Sequence, residues 1–150
     1  MKAVAVLGAG SWGTVLAAVL ASDDRPVRLW MRSAEAAAAM RAEHRNEQAA
    51  PGLTLPAAVA PTADLAEALA DAALVLFVLP TAAMREVVAR AAPAIPAGAI
   101  LVSCAKGFEA GTHMRMTEVL AATRPGSPGR VAALSGPNLA GEIAEGRPAA

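Results

Sequence analysis

Apolar residues in this 150-residue chain fall into short, nearly continuous blocks, and between the blocks they recur every three to four positions. The blocks are AVAVL (3–7), PVRLWM (26–31), ALVLFVL (73–79), AILVS (99–103) and RVAAL (130–134). Runs of this length and character read as strands of a parallel sheet that is covered on both faces. The stretches between them read as helices. Residues 11–22 open on Ser11 as a cap, the Ala-rich residues 33–44 are capped by Ser33, residues 81–92 carry Met84, Val87, Val88 and Ala91 on one face, and residues 112–124 follow. Residues 45–61 hold three prolines and one glycine. They predict a loop with a short strand at about residues 57–60, after which Thr62 or Asp64 starts a short helix. Strands alternating with helices require right-handed crossovers, and so predict an α/β fold built on a doubly wound parallel sheet with helices on both faces.

The first block breaks off at glycine. In AVAVLGAGSWGTVLAAVL (3–20), Gly8, Gly10 and Gly13 form G-x-G-x-x-G between a strand and a helix. In such a turn the first glycine permits the bend, the second lets backbone approach a pyrophosphate, and the third lets helix pack closely on strand. The amides of Ser11 and Trp12 would face the phosphates, with the helix dipole supplying the positive field. A turn needing glycine for steric reasons alone would carry the same letters; the strand before and the helix after favour a dinucleotide, and the fold is read as Rossmann-type. A carboxylate at the end of the second strand usually takes the ribose hydroxyl of NAD, and an arginine there suits a 2′-phosphate. The second strand here ends LWMRS (29–33), with Arg32 and no carboxylate. Its planar guanidinium can stack on adenine and clamp a phosphate, whereas the plain alternative is an exposed arginine at a strand end. The expected cofactor is therefore NADPH or NADH, with NADPH preferred.

Composition narrows the partners. Lys and Arg number 13 and so do Asp and Glu, which argues against a nucleic-acid footprint, so an anionic ligand must be held locally. The first ten residues lack the apolar segment and cleavage site of a signal peptide, and no run reaches the roughly 18 residues of a membrane helix. The single cysteine, Cys104, has no partner within the chain and fits a reducing compartment. A cytoplasmic protein without nucleic-acid or membrane partners is expected.

Four stretches in order, GAGSWGTVLA (8–17), LWMR (29–32), SCAKGFE (103–109) and LSGPNLAGEIAEGRP (134–148), resemble the N-terminal domain of the bacterial NAD(P)-dependent glycerol-3-phosphate dehydrogenases. The segment NEQAAPGLTLP (46–56) is similar to that family's N-x-x-Y-L-P-G-x-x-L-P loop. The resemblance implies an oxidoreductase that interconverts dihydroxyacetone phosphate and sn-glycerol 3-phosphate by hydride transfer, in glycerophospholipid biosynthesis, with a homodimer as the candidate assembly of the full-length protein. It implies that Gly8, Gly10, Ser11, Trp12, Gly13, Arg32 and Ala140 serve the cofactor. Lys106 would touch both cofactor and substrate, and Gly136 and Asn138 would touch substrate. No metal is implied.

The placement agrees with general chemistry. Lys106 follows the strand ending at Ser103, and open α/β sheets bind ligands beyond the carboxyl ends of their strands. A lysine there can donate to a ketone oxygen and stabilise the developing alkoxide; a solvated lysine in a turn is the alternative. Ser135-Gly136-Pro137-Asn138 follows the last strand in the same way, as a ligand loop or as a turn without chemistry.

Three residues at two places depart from the family pattern. Ala49-Ala50 stands where the family has tyrosine and leucine, and Asn138 where serine or threonine is common. In the family the proton-transferring lysine and an Arg-Asn pair that grips the phosphate lie in a helical C-terminal domain beyond residue 150. Residues 1–150 are thus expected to be a dinucleotide-binding domain that is part of something longer, and to show negligible turnover alone. A non-catalytic NADPH-binding or redox-sensing module, or a related hydroxy-acid dehydrogenase, is the competing reading. Cys104 is expected buried and inert. His44 and His113 have no ligand-spaced partners, and Met31, Met84, Met114 and Met116 read as core or helix-face filler.

Overall fold

The computed structural model describes residues 2–123 and 130–147. Six parallel strands form one sheet: β1 (Ala3–Leu7), β2 (Val27–Trp30), β3 (Val59–Thr62), β4 (Ala72–Phe77), β5 (Ile100–Ser103) and β6 (Val131–Ala133). Their spatial order is β3-β2-β1-β4-β5-β6, the doubly wound arrangement in which the order reverses between β1 and β4. The helices are α1 (Ser11–Leu20), α2 (Ala34–Glu43), α3 (Leu65–Leu69), α4 (Thr81–Ala91), α5 (Met116–Thr123) and α6 (Ala140–Ala144).

Burial explains why β1 carries no polar residue. Val4 and Val6 point to one face, where they meet Leu16 and Ala17 of α1 and Ala37 and Met40 of α2. Ala5 and Leu7 point to the other, where Leu69 of α3, Met84, Val87 and Val88 of α4 and Leu120 of α5 complete the core. Both faces of the central strand are dry, so alternation gives way to a continuous apolar run.

Several boundaries move from the sequence-based expectation for local reasons. The strand expected at 57–60 runs from Val59 to Thr62, because Val59 closes a turn by donating its amide to Pro56 O at 2.9 Å. Thr62 is therefore the last residue of β3, paired with Trp30, and Asp64 caps α3 through the amides of Ala66 and Glu67. Pro61 is tolerated because β3 is an edge strand whose outer side needs no amide. The helix expected at 112–124 starts only at Met116. Residues Phe108 and Arg115 form an antiparallel bridge and His113 takes φ 58°, so the chain folds back on itself before the helix begins. Arg124, the expected last residue of that helix, lies outside the described residues. Ser33 caps α2 as expected, accepting from the Ala36 amide at 3.1 Å. Ser11 does not cap α1: the cap position is Gly10, and no side chain takes that role.

Among the described residues no helix is long and apolar enough to cross a membrane.

Candidate functional site

The three glycines of the first turn have three different surroundings. Gly8 has φ +119°, and a Cβ there would stand 2.1 Å from Val78 O, at the end of β4. A Cβ on Gly13 would stand 1.8 Å from Gly8 O. Both are therefore required by the packing of the turn itself. A Cβ on Gly10 would meet nothing within 4 Å. Of the three, only this middle glycine has open space beside it, at the position where the protein backbone approaches a pyrophosphate in such turns.

The amides at the start of α1 are in the same position to serve an anion. The first backbone bond of the helix runs from Thr14 N–H to Gly10 O at 2.9 Å, so the amides of Ser11, Trp12 and Gly13 precede the ladder. No side chain caps them and the first turn carries no acidic residue. Ser11 is exposed and Trp12 half-buried.

Arg32 is exposed directly after β2, and Trp30 O of that strand accepts the Gly8 amide at 3.0 Å. The end of β2 is thus tied to the glycine turn, and the guanidinium has no hydrogen-bond or ion-pair partner among the described residues. Two residues not singled out from the sequence stabilise this corner. Asn46 donates through Nδ2 to Ala9 O at 3.0 Å and to Thr14 Oγ1 at 2.9 Å, and the fully buried Thr14 hydroxyl donates to Ala9 O at 3.3 Å. Asn46 was visible only as the first residue of the NEQAAPGLTLP loop. Its bonds hold that loop against the turn and leave a cleft of about 430 Å³, lined among others by Ser11, Val15, Ala49, Ala50, Leu53 and Ala140. Small side chains at Ala49 and Ala50 leave this volume open.

On the other side of the switch point, Lys106 is exposed two residues after Cys104, beyond the end of β5. Its Nζ donates to Gly136 O at 2.9 Å, which brings together two loops 30 residues apart. An ammonium has three donors, so two remain for other acceptors. Asn138 is half-buried and lies over Gly136: a Cβ on that glycine would be 3.5 Å from Asn138 Oδ1. Ala140 opens α6 on the wall of the cleft beside α1. Cys104 is buried at 5% exposure, and burial pushes its thiol up to about 11, so it is an unreactive core residue.

The loop after Lys106 is held by Glu109, which accepts from Arg85 Nε and Nη2 at 2.7 Å each and from Thr112 Oγ1 at 2.5 Å. Hydrogen bonds first from Arg85 and then from Thr112 hold its carboxyl down at about 2. Among the described residues no group of three His, Cys, Asp or Glu is placed to bind a metal ion.

A parallel sheet in this strand order, with a glycine-rich and uncapped strand-to-helix turn at the point where the order reverses, defines a dinucleotide-binding α/β domain. The family model described as the NAD-dependent glycerol-3-phosphate dehydrogenase N-terminus matches residues 3–150, and the chain belongs to that family. It is 49% identical over 150 residues to glycerol-3-phosphate dehydrogenase (NAD(P)+) of Corynebacterium glutamicum, covering all of this chain and 45% of that protein. A Mycobacterium bovis protein named glycerol-3-phosphate dehydrogenase (NAD(P)+) 2 is 50% identical over 147 residues, covering 98% of this chain and 44% of its own length. Among solved structures, glycerol-3-phosphate dehydrogenase of Coxiella burnetii superposes with a TM-score of 0.86 at 36% identity, over 96% of this chain and 43% of that one. The Saccharomyces cerevisiae enzyme gives 0.82 at 25% identity, over 97% and 44%. The chain spans less than half the length of these relatives.

Proposed function

We propose that this chain is the NADPH-binding half of a cytoplasmic oxidoreductase that interconverts dihydroxyacetone phosphate and sn-glycerol 3-phosphate, a precursor of glycerophospholipids. The observation that carries this reading is the open space over Gly10 at the uncapped start of α1, on the same edge of the sheet as the Lys106–Gly136 bridge.

In this reading the pyrophosphate rests on the turn formed by Gly8, Gly10 and Gly13, against the amides of Ser11 and Trp12. Arg32 takes the 2′-phosphate through its planar fork and thereby favours NADPH over NADH. Ala140 borders the nicotinamide half. The nicotinamide supplies the hydride when the cofactor is bound. Lys106 donates to the ketone oxygen and stabilises negative charge as it develops there, while Gly136 and Asn138 orient the substrate. The proton-transferring lysine and the phosphate-gripping Arg-Asn pair belong to a helical domain in the remaining length of the whole protein, which acts as a homodimer. The substitution of Ala49-Ala50 for the family's Tyr-Leu removes an aromatic contact from the cofactor's surroundings, and Asn138 keeps hydrogen bonding while altering reach.

Calorimetric titration of this chain with NADPH and NADH tests the reading. Wild-type chain should bind NADPH more tightly, and Arg32→Ala should remove that preference. Equal binding of the two cofactors by the wild type would refute the 2′-phosphate clamp, and binding of neither would refute the glycine-turn site in this chain. The chain alone should not oxidise NADPH in the presence of dihydroxyacetone phosphate; measurable turnover would place the proton donor within residues 1–150.

A further inference from the structure

We propose that Arg85 and Glu109 form a positioning pair that fixes where the Lys106 ammonium stands, an inference resting on the reading of Lys106 as a contact to cofactor and substrate. Upstream, Lys106 is anchored by the sheet: the Cys104 amide donates to Phe77 O at 3.0 Å and the Cys104 side chain is buried. Downstream, nothing apolar holds it. Gly107 takes φ +113°, with no side chain to pack, and Phe108 is 63% exposed. Phe108 is held only through its backbone bridge to Arg115, and the first side chain after Lys106 with fixed partners is that of Glu109, every polar group of which is engaged. Its carboxylate receives the two-pronged Arg85 fork and the Thr112 hydroxyl. Its amide donates to Met114 O at 2.9 Å, and its carbonyl accepts the His113 amide at 3.0 Å. The Glu109 side chain is only 14% exposed.

Arg85 is a firm platform for this contact. It projects from α4 beside Met84, Val87 and Val88, all buried in the core. A bidentate fork fixes orientation as well as distance, which a single point charge does not. Lys106 is therefore strung between two rigid points, the end of β5 and the fork on α4, and from there its Nζ reaches Gly136 O. Without the fork, the 108–115 turn keeps its own backbone bonds but is no longer tied by this pair to α4; the glycine at 107, at φ +113°, lets the turn pivot as a unit, and Lys106 loses its fixed direction. The pair never touches a ligand and acts only through Lys106.

The test is calorimetry on this chain with two probes: NADPH, and adenosine 2′,5′-bisphosphate, which has no nicotinamide half to reach Lys106. Glu109→Gln and Arg85→Met should each weaken NADPH binding by about tenfold, the order seen when the partner that orients a binding group is removed. They should leave the bisphosphate unchanged, and the loss should vanish in a Lys106→Ala background. Equal weakening of both probes would overturn the proposal, because it would signal general damage to the fold. Unchanged NADPH binding, or a loss that persists without Lys106, would overturn it as well. A different pattern identifies failure of the underlying reading: wild-type chain that binds both probes while Lys106→Ala costs nothing removes Lys106 from the site. If Glu109→Gln does not fold, Arg85→Lys keeps the charge and loses the fork, and the ratio of the two affinities is read from that variant.

Discussion

The three glycines of the turn offer a sharp separation between folding and binding. At Gly13 an added methyl would lie 1.8 Å from Gly8 O, a backbone atom with no freedom to swing aside. Relief requires α1 to move off the turn, and forced overpacking of this kind costs about 1–3 kcal/mol or more. For a domain of this size that corresponds to a fall in Tm of about 2–4 °C per kcal/mol. At Gly10 the methyl meets nothing, and the backbone there, φ −72° and ψ −177°, suits any residue. Alanine is a poorer N-cap than glycine by a few tenths of a kcal/mol to about 1 kcal/mol, but it lowers unfolded-chain entropy by a comparable about 0.4–1 kcal/mol. The Gly10→Ala fold should thus melt within about 2 °C of wild type. Its binding should not survive as well, since the methyl takes the space a pyrophosphate needs and stretches charge-assisted bonds worth about 1.5–3 kcal/mol, or roughly 10- to 150-fold in affinity. Thermal melts by circular dichroism and NADPH titrations of the two variants give the answer. Wild-type affinity in Gly10→Ala would refute the cradle, and a melt as depressed as that of Gly13→Ala would refute the open space.

Other outcomes follow from the same geometry. Asn46→Ala removes both bonds that tie the 44–55 loop to the turn; it should cost about 1–2 kcal/mol, read as a lower urea midpoint at unchanged slope. The Glu109 carboxyl is held at about 2 against an ordinary 4.5, and a depressed carboxyl contributes stability that is complete above its unfolded value and lost as pH falls through its folded one. The Tm gap between wild type and Glu109→Gln should therefore be constant near neutrality and close between 4.5 and about 2; a gap that stays constant down to the lower value would refute the fork as its source. Cys104, buried with its thiol at about 11, should react with Ellman's reagent in the native state only as fast as the protein opens, and at once in denaturant.

The strands of the sheet could be read from sequence because the sheet is buried on both faces. Burying Val4 with Val6 and Ala5 with Leu7 on opposite sides demands an unbroken apolar run, and a run so short, closed at once by glycine, suits little besides a central strand. The edge strands show the limit of that signal. β3 carries Pro61, and Ala132 and Ala133 of β6 are exposed, so their ends are set by turns rather than by burial, and β3 falls two residues from where its apolar letters suggest. The late start of α5 was hidden for a related reason. The sequence THMRMTEVLAATR is a fair helix throughout by propensity, and only the bond from the Arg115 amide to Glu118 at 2.8 Å and the bridge to Phe108 decide where the helix begins. Arg32 and Lys106 stood out as charges at strand ends. Asn46 and Glu109 did not, because each acts through partners 32 and 24 residues away, and a single sequence does not show which distant residue a side chain will meet.

Among α1 to α4, the caps follow the position of each helix relative to the switch point. The helices that follow β2 and β3, away from that point, satisfy their first amides internally: Ser33 caps α2 and Asp64 caps α3, with Glu35 and Glu67 in their first turns. The two helices that flank it do not. The cap position of α1 is Gly10 and that of α4 is Pro80, each without a side-chain cap and without an acidic residue in the first turn. Forgoing a side-chain cap costs only a few tenths of a kcal/mol where glycine takes the position, as at Gly10, and roughly 0.5–2 kcal/mol where a residue that caps as poorly as alanine does. The arrangement leaves the positive ends of α1 and α4, the helices on either side of the switch point, without an acidic residue in either first turn. With equal numbers of acidic and basic residues overall, the chain has no net field to draw in an anion. On the proposed reading its attraction is built locally, from the amides at these helix ends together with Arg32 and Lys106, and only a ligand that carries its charge to them gains from it.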